Sequence, residues 1–198
     1  MLVRPQRSDY MNSMRHLVLG AARSGKTRFA LNTAKSLARA QEKEVVYVAT
    51  AEAHDDEMRE RIARHRAERP ENWRTLEASR ELASSLASIE STSVVVVDCL
   101  TLWLSNALLR DFHEDAPTAA LPTWSHERVG FMNGLKSCPH TLILVSNEVG
   151  GGVVPASPLA RRFQSEQGWL NQDVAGVCEY VTLVVAGLPV PIKTVAPR

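Results

Sequence analysis

Nothing in this chain is extreme, and its shortages exclude several classes. Three cysteines, Cys99, Cys138 and Cys178, lie far apart without a C-x-x-C pair. They make neither a disulfide framework nor a zinc site and read as reduced thiols of a cytoplasmic protein. Aromatics are 6% of 198 residues, and 23 basic against 22 acidic side chains leave a net charge of +1. A dedicated nucleic-acid binder carries a basic stripe or tail. Only short clusters such as Arg64-His65-Arg66 occur here, so the expected partner is a small molecule and no nucleic acid. No apolar run nears the roughly 20 residues that span a bilayer, and no membrane insertion is expected. Residues 1–13 are polar, lack the core of a secretion signal and read as a disordered extension, with Met11 or Met14 as alternative starts. Residues 14–198 read as a single domain.

What is present is an alternation of short apolar runs with helical patterns, the signature of an α/β protein. Strands are expected over residues 17–19, 45–49, 94–97, 141–145 and 180–185, most of them continuous aliphatic runs of the kind found in a parallel sheet covered on both faces. Helices are expected over 27–40, 56–68, 80–89, 102–110, 126–137 and 158–177. Residues 116–122 read as a loop and 187–198 as a terminal strand or tail. Trp103 and Trp169 read as core aromatics, with a contact to the substrate or to another subunit as the alternative.

The first strand runs into Gly20-Ala21-Ala22-Arg23-Ser24-Gly25-Lys26-Thr27, which fits the phosphate-cradling pattern G-x-x-x-x-G-K-(S/T) in its strand–loop–helix setting. Backbone N–H groups of such a loop, with the positive end of the following helix, hold nucleotide phosphates. Lys26 would reach the β- and γ-phosphates, and the Thr27 hydroxyl would hold Mg2+. The third expected strand ends in Asp98, either a second magnesium ligand or the cap of the helix beginning near Leu100. The fold expected is therefore a P-loop, recombinase-like, mostly parallel sheet with helices on both faces and nucleotide at the strand C-terminal ends.

Two further segments are distinctive. In residues 47–70, Met58 and Ile62 give a helix one stripe, and His65 borders it among arginines. That is either a phosphate-binding face with an imidazole free to act or a solvated charged helix with an incidental histidine. In residues 144–155 a strand delivers Asn147 and Glu148 just before three glycines, at the edge where α/β proteins place function or in an ordinary flexible loop.

Taken together, GAARSGKT, YVATAEAHDDEMRERIARHRAERPENWRTLE, VVVVDCLTLWLSN, LVSNEVGGGVVP and LARRFQSEQGWLNQ resemble the bifunctional adenosylcobinamide kinase/adenosylcobinamide-phosphate guanylyltransferases of cobalamin synthesis. The resemblance runs from about Met14 to Lys193 with the motifs in the same order. It implies phosphorylation of adenosylcobinamide by a nucleoside triphosphate, with ATP and GTP both open as donor. It further implies transfer of GMP from GTP, through a guanylylated histidine, to adenosylcobinamide phosphate. The family's histidine matches His65, with His54 a rival. Its nucleotide contacts match Gly20, Ala21, Ala22, Arg23, Ser24, Gly25, Lys26 and Thr27, then Thr50, Ala51 and Glu52. They continue through Arg66, Ala67, Glu68 and Arg69 to Glu77 and Asp98, with Arg61 a further candidate for the α-phosphate charge. Catalysis would rest on His65 and Lys26, and magnesium on Thr27 and Asp98. Relatives assemble as homo-oligomers, often trimers. The alternative is a P-loop kinase for a small metabolite, without guanylyl transfer. A GTP-dependent regulator is disfavoured because Ser146-Asn147-Glu148-Val149 stands where a guanine-reading N-K-x-D motif belongs.

Overall fold

The computed structural model describes residues 14–53, 55–67, 69–90, 92–113, 115–116 and 119–195, so the expected extension over 1–13 lies outside them. Seven strands form one sheet: β1 (Arg15–Gly20), β2 (Val45–Ala49), β3 (Arg74–Glu77), β4 (Val94–Asp98), β5 (Thr141–Asn147), β6 (Tyr180–Val185) and β7 (Leu188–Lys193). Their spatial order is β3-β2-β4-β5-β1-β6-β7. All pairings are parallel except that of β6 with β7. Among the described residues six helices connect them: α1 (Lys26–Gln41), α2 (Asp56–Ala67), α3 (Leu82–Ala87), α4 (Leu100–Asp111), α5 (Pro122–Ser137) and α6 (Pro158–Val177).

Because side chains alternate across a strand, the valine run of β4 feeds two cores. Val94 and Val96 pack with the α1 stripe Ala30, Leu31, Ala34 and Leu37. Val95 and Val97 face the other layer, where Trp103 of α4 meets Trp124 and Phe131 of α5, each pair with ring centroids 5.0 Å apart. Trp103 is thus core as expected, whereas Trp169 is half-exposed on α6. All three cysteines are buried and unpaired.

Three elements depart from expectation. β3 has no apolar run, since only Leu76 is even partly buried, and it forms as an edge strand paired on one side with β2. α5 begins inside the segment expected as a loop, with Pro122 in its first turn, where a missing N–H costs nothing. α3 is shorter than residues 80–89, starting after Glu81 at a left-handed φ of 46°. Residues 188–193 are a strand despite Pro189 and Pro191, which an outer edge tolerates.

Register sets up the site. Gly20 lies opposite Asn147, Ala49 opposite both Asp98 and Glu77, and Asp98 opposite Val145. β3, β2 and β4 therefore end level while β5 and β1 run two residues further, placing Gly20, Ala49, Glu77, Asp98 and Asn147 along one edge.

Candidate active site

The loop after β1 turns into α1 at Gly25, whose φ is 92°, a left-handed value that glycine adopts without strain. Gly25 is the N-cap and offers α1 no side-chain cap, so the first N–H groups of the helix are left for an anion. A Cβ on Gly20 would lie 2.4 Å from Ser24 Oγ and 2.7 Å from the Val184 carbonyl. The β6–β7 turn braces the loop from outside, Gly187 N donating to Ser24 O at 2.8 Å. Lys26 is buried and its Nζ donates to Ala21 O at 3.1 Å, folded back over the loop.

Beyond the loop opens a cleft of about 390 Å3 lined by Lys26, Thr27, Tyr47, Ala51, Glu52, Met58, Ile62, His65, Arg69, Glu77, Asp98, Cys99 and Asn147 among others. Met58, Ile62 and His65 recur at helical spacing on α2, so one stripe of that helix forms a cleft wall. His65 Nδ1 is 3.8 Å from Asp98 Oδ2. The same carboxylate oxygen accepts a 2.6 Å hydrogen bond from Tyr47 OH. The Arg69 guanidinium lies 3.6 Å over the Tyr47 ring, and its Nε donates to the His65 carbonyl at 3.0 Å. Burial, then the Asp98 carboxylate, hold the Tyr47 phenol well above its ordinary range, so it is a donor at any working pH. Burial likewise raises the Cys99 thiol to about 11. Cys99 therefore stays protonated and is no nucleophile here.

Most of the expected nucleotide contacts fall on this cleft or its loop, and some do not. Arg66 and Ala67 are exposed and turned off the cleft, because successive helical residues step about 100° around the axis. Thr50 is fully buried. Its hydroxyl donates to Cys99 O at 2.7 Å and accepts from Cys99 N at 2.8 Å, bracing the chain after Asp98 rather than reaching a ligand. Asp98 does not cap α4. The N-cap is Cys99, without a side-chain bond, which leaves the carboxylate to the cleft. His54, Glu68 and the side chain of Arg61 lie outside the described residues. Glu52 lines the cleft with its Oε1 3.5 Å from both Arg80 Nε and Arg110 Nη2.

Tyr47 escaped the sequence reading because it sits in an apolar strand and looks like core. The only available signal was its strand's pairing with one that ends in an acid. Asn147 is held more firmly than its glycine-rich surroundings suggested. Its N–H donates to Thr101 Oγ1 at 2.8 Å, and its carbonyl accepts from Asn171 Nδ2 at 3.0 Å. Asn171 is itself fixed by Ser146 and Gln167 in a buried polar chain. Asn147 Oδ1 and Ser24 Oγ are buried without a hydrogen-bond partner among the described residues. Such orphans beside a phosphate loop mark where a bound group would complete the bonding.

A hydroxyl (Thr27) and a carboxylate (Asp98) in one cleft fit magnesium, which keeps several waters and shares phosphate oxygens rather than filling a protein cage. No cluster of three or more His, Cys, Asp or Glu that could hold a metal occurs among the described residues.

The family model described as cobinamide kinase / cobinamide phosphate guanyltransferase matches residues 16–192. The chain is 49% identical over 181 residues to the bifunctional adenosylcobalamin biosynthesis protein CobP of Pseudomonas aeruginosa, covering 91% of this chain and 98% of that protein. It is 38% identical over 187 residues to the CobU protein of the same description from Escherichia coli, with 89% and 98% covered. With the Salmonella typhimurium CobU protein it shares 36% over 183 residues, again with 89% and 98% covered.

Proposed function

The chain belongs to the cobinamide kinase / cobinamide phosphate guanyltransferase family, with both activities, and on that premise we propose that one cleft serves both reactions. The observation that carries this reading is that Lys26 and Thr27 of the phosphate loop line the same cleft as His65 and Asp98, the last two 3.8 Å apart. Family membership displaces the alternative of a metabolite kinase without guanylyl transfer.

In the first reaction the hydroxyl of the aminopropanol arm of adenosylcobinamide attacks the γ-phosphorus of ATP or GTP. The protein does no covalent chemistry here. Loop N–H groups and Lys26 orient the triphosphate and meet the charge on its oxygens. In the second reaction an imidazole nitrogen of His65 attacks the α-phosphorus of GTP, and pyrophosphate leaves against Lys26 and the loop. A phosphate oxygen of adenosylcobinamide phosphate then attacks the same phosphorus, breaking the P–N bond to give adenosylcobinamide-GDP and the free histidine. Arg69, already bonded to the His65 backbone, is placed for charge on the α-phosphate. Thr27 and Asp98 would hold Mg2+, which supplies charge neutralisation to the triphosphate.

No helix of the described chain is long and apolar enough to cross a membrane. With balanced charge and buried thiols, this supports a cytoplasmic enzyme that binds no nucleic acid. A homo-oligomer, a trimer as the family resemblance implies, completes this reading.

The two steps separate by mutation. His65→Ala is expected to keep phosphorylating adenosylcobinamide while losing GMP transfer, as followed by separation of the two corrinoid products. Lys26→Ala should lower both rates by on the order of 10²–10³. GMP transfer by His65→Ala at the wild-type rate would overturn the assignment.

A further inference from the structure

A histidine offers two nitrogens to phosphorus, and the surroundings of His65 distinguish them. The nearest charged oxygen is Asp98 Oδ2, 3.8 Å from Nδ1. That oxygen is not free to swing, because it accepts the 2.6 Å bond from Tyr47 OH. Tyr47 in turn is locked, its ring 98% removed from solvent in β2 and covered by the Arg69 guanidinium at 3.6 Å. Arg69 also ties the backbone of His65 to this stack, through Nε to the carbonyl at 3.0 Å. Four side chains from β2, β4, α2 and the residues after α2 thus form one unit. Its geometry turns the Nδ1 edge of the imidazole to a fixed carboxylate.

A carboxylate facing one ring nitrogen favours the tautomer with the proton on that nitrogen, which leaves the lone pair on the other. Resting on the guanylyl-histidine reading above, we propose that Tyr47 and Asp98 are positioning residues that make Nε2 of His65 the nitrogen guanylylated. The step balances. The Nε2 lone pair forms the new N–P bond, the bond from the α-phosphorus to the bridging oxygen breaks, and that electron pair leaves with pyrophosphate. The proton stays on Nδ1, so the guanylylated ring is cationic, and Asp98 offsets that charge at close range. When the phosphate monoester attacks, the N–P pair returns to Nε2 and the ring is again neutral with its proton on Nδ1. No external acid or base is needed for either half.

The test uses full-length protein labelled with 15N-histidine, incubated with GTP and magnesium, then unfolded at alkaline pH, where phosphoramidates survive. Phosphorus–nitrogen couplings report which ring nitrogen carries the nucleotide. A single Nε2 adduct is expected. An adduct on Nδ1 of His65 overturns the positioning proposal while leaving the guanylyl-histidine reading intact. No adduct on His65 overturns both. Tyr47→Phe keeps the ring beneath Arg69 and removes only the hydroxyl. It should slow adduct formation roughly tenfold or more, in keeping with loss of a hydrogen bond to a charged group, and should yield a mixture of Nδ1 and Nε2 adducts. Such a mixture is a signature that general loosening of the fold does not produce. Wild-type rate and pure Nε2 linkage in Tyr47→Phe overturn the proposal.

Discussion

His65, Asp98 and Asn147 each reach the cleft from a backbone fixed by neighbouring side chains: Arg69 for His65, Thr50 next to Asp98, and Thr101 with Asn171 for Asn147. This arrangement holds reacting groups without asking a ligand to order them. Asn147 gives a direct test. It lines the cleft opposite Gly20, so an acid there would sit among triphosphate oxygens. Asn147→Asp should raise the nucleotide KM at least roughly tenfold, since like charges a few ångströms apart repel by several kcal/mol even when partly screened. Initial rates against nucleotide concentration will show it, and an unchanged KM would place Asn147 outside the phosphate site. Lys26 and Thr27 were readable because their motif demands those residue types, and Asp98 because it ends a continuous apolar strand, where it stood open between a metal ligand and a helix cap. Tyr47 was not, because a phenol inside an apolar strand reads as packing until its partner strand is known. Thr50 illustrates the reverse error. It sits beside true cleft residues in sequence, yet its side chain points into the chain behind Asp98.

Among the elements, the phosphate loop depends on a hairpin turn far along the sequence. Gly187 N bonds Ser24 O, and a Cβ on Gly20 would collide with Ser24 Oγ and with the rigid carbonyl of Val184 in β6. Backbone cannot yield as a side chain can. Gly20→Ala is therefore expected to cost about 1–3 kcal/mol through overpacking and to abolish stabilisation by nucleotide. Thermal melts with and without GTP measure both effects. A variant whose Tm still rises on adding GTP as wild type does would contradict this view of the loop. The elements legible in advance were those whose apolar content is continuous, such as β4 and β5. β3, with three exposed residues out of four, carries no such signal and exists because β2 offers an edge to pair with. The start of α5 was lost to its Pro122, which reads as a loop but serves as the first turn of a helix.

For the molecule as a whole, most sheet residues are apolar and insensitive to pH, but His16 of β1 is buried and titratable. Burial lowers it to about 4 from 6.5, with Nε2 paired to Thr182 Oγ1 at 2.8 Å. The unfolded chain therefore binds the proton first. The contribution is complete above pH 6.5 and is lost as pH falls from 6.5 towards 4, by about 3 kcal/mol in all at roughly 1.4 kcal/mol per unit. Urea midpoints should drop as pH falls from about 6.5 to 4, and His16→Gln should flatten that slope. A slope that persists in the variant would assign the loss to other groups.

The central claim is that His65, beside the phosphate loop, carries the nucleotide between donor and acceptor. The most direct test is the intact mass of the protein after exposure to GTP and magnesium, without corrinoid, under mildly alkaline conditions. The account predicts one added GMP per chain, found on the peptide containing His65, removed by adenosylcobinamide phosphate and absent from His65→Ala. Protein that catalyses GMP transfer yet never gains that mass, or gains it at another residue, would contradict the account.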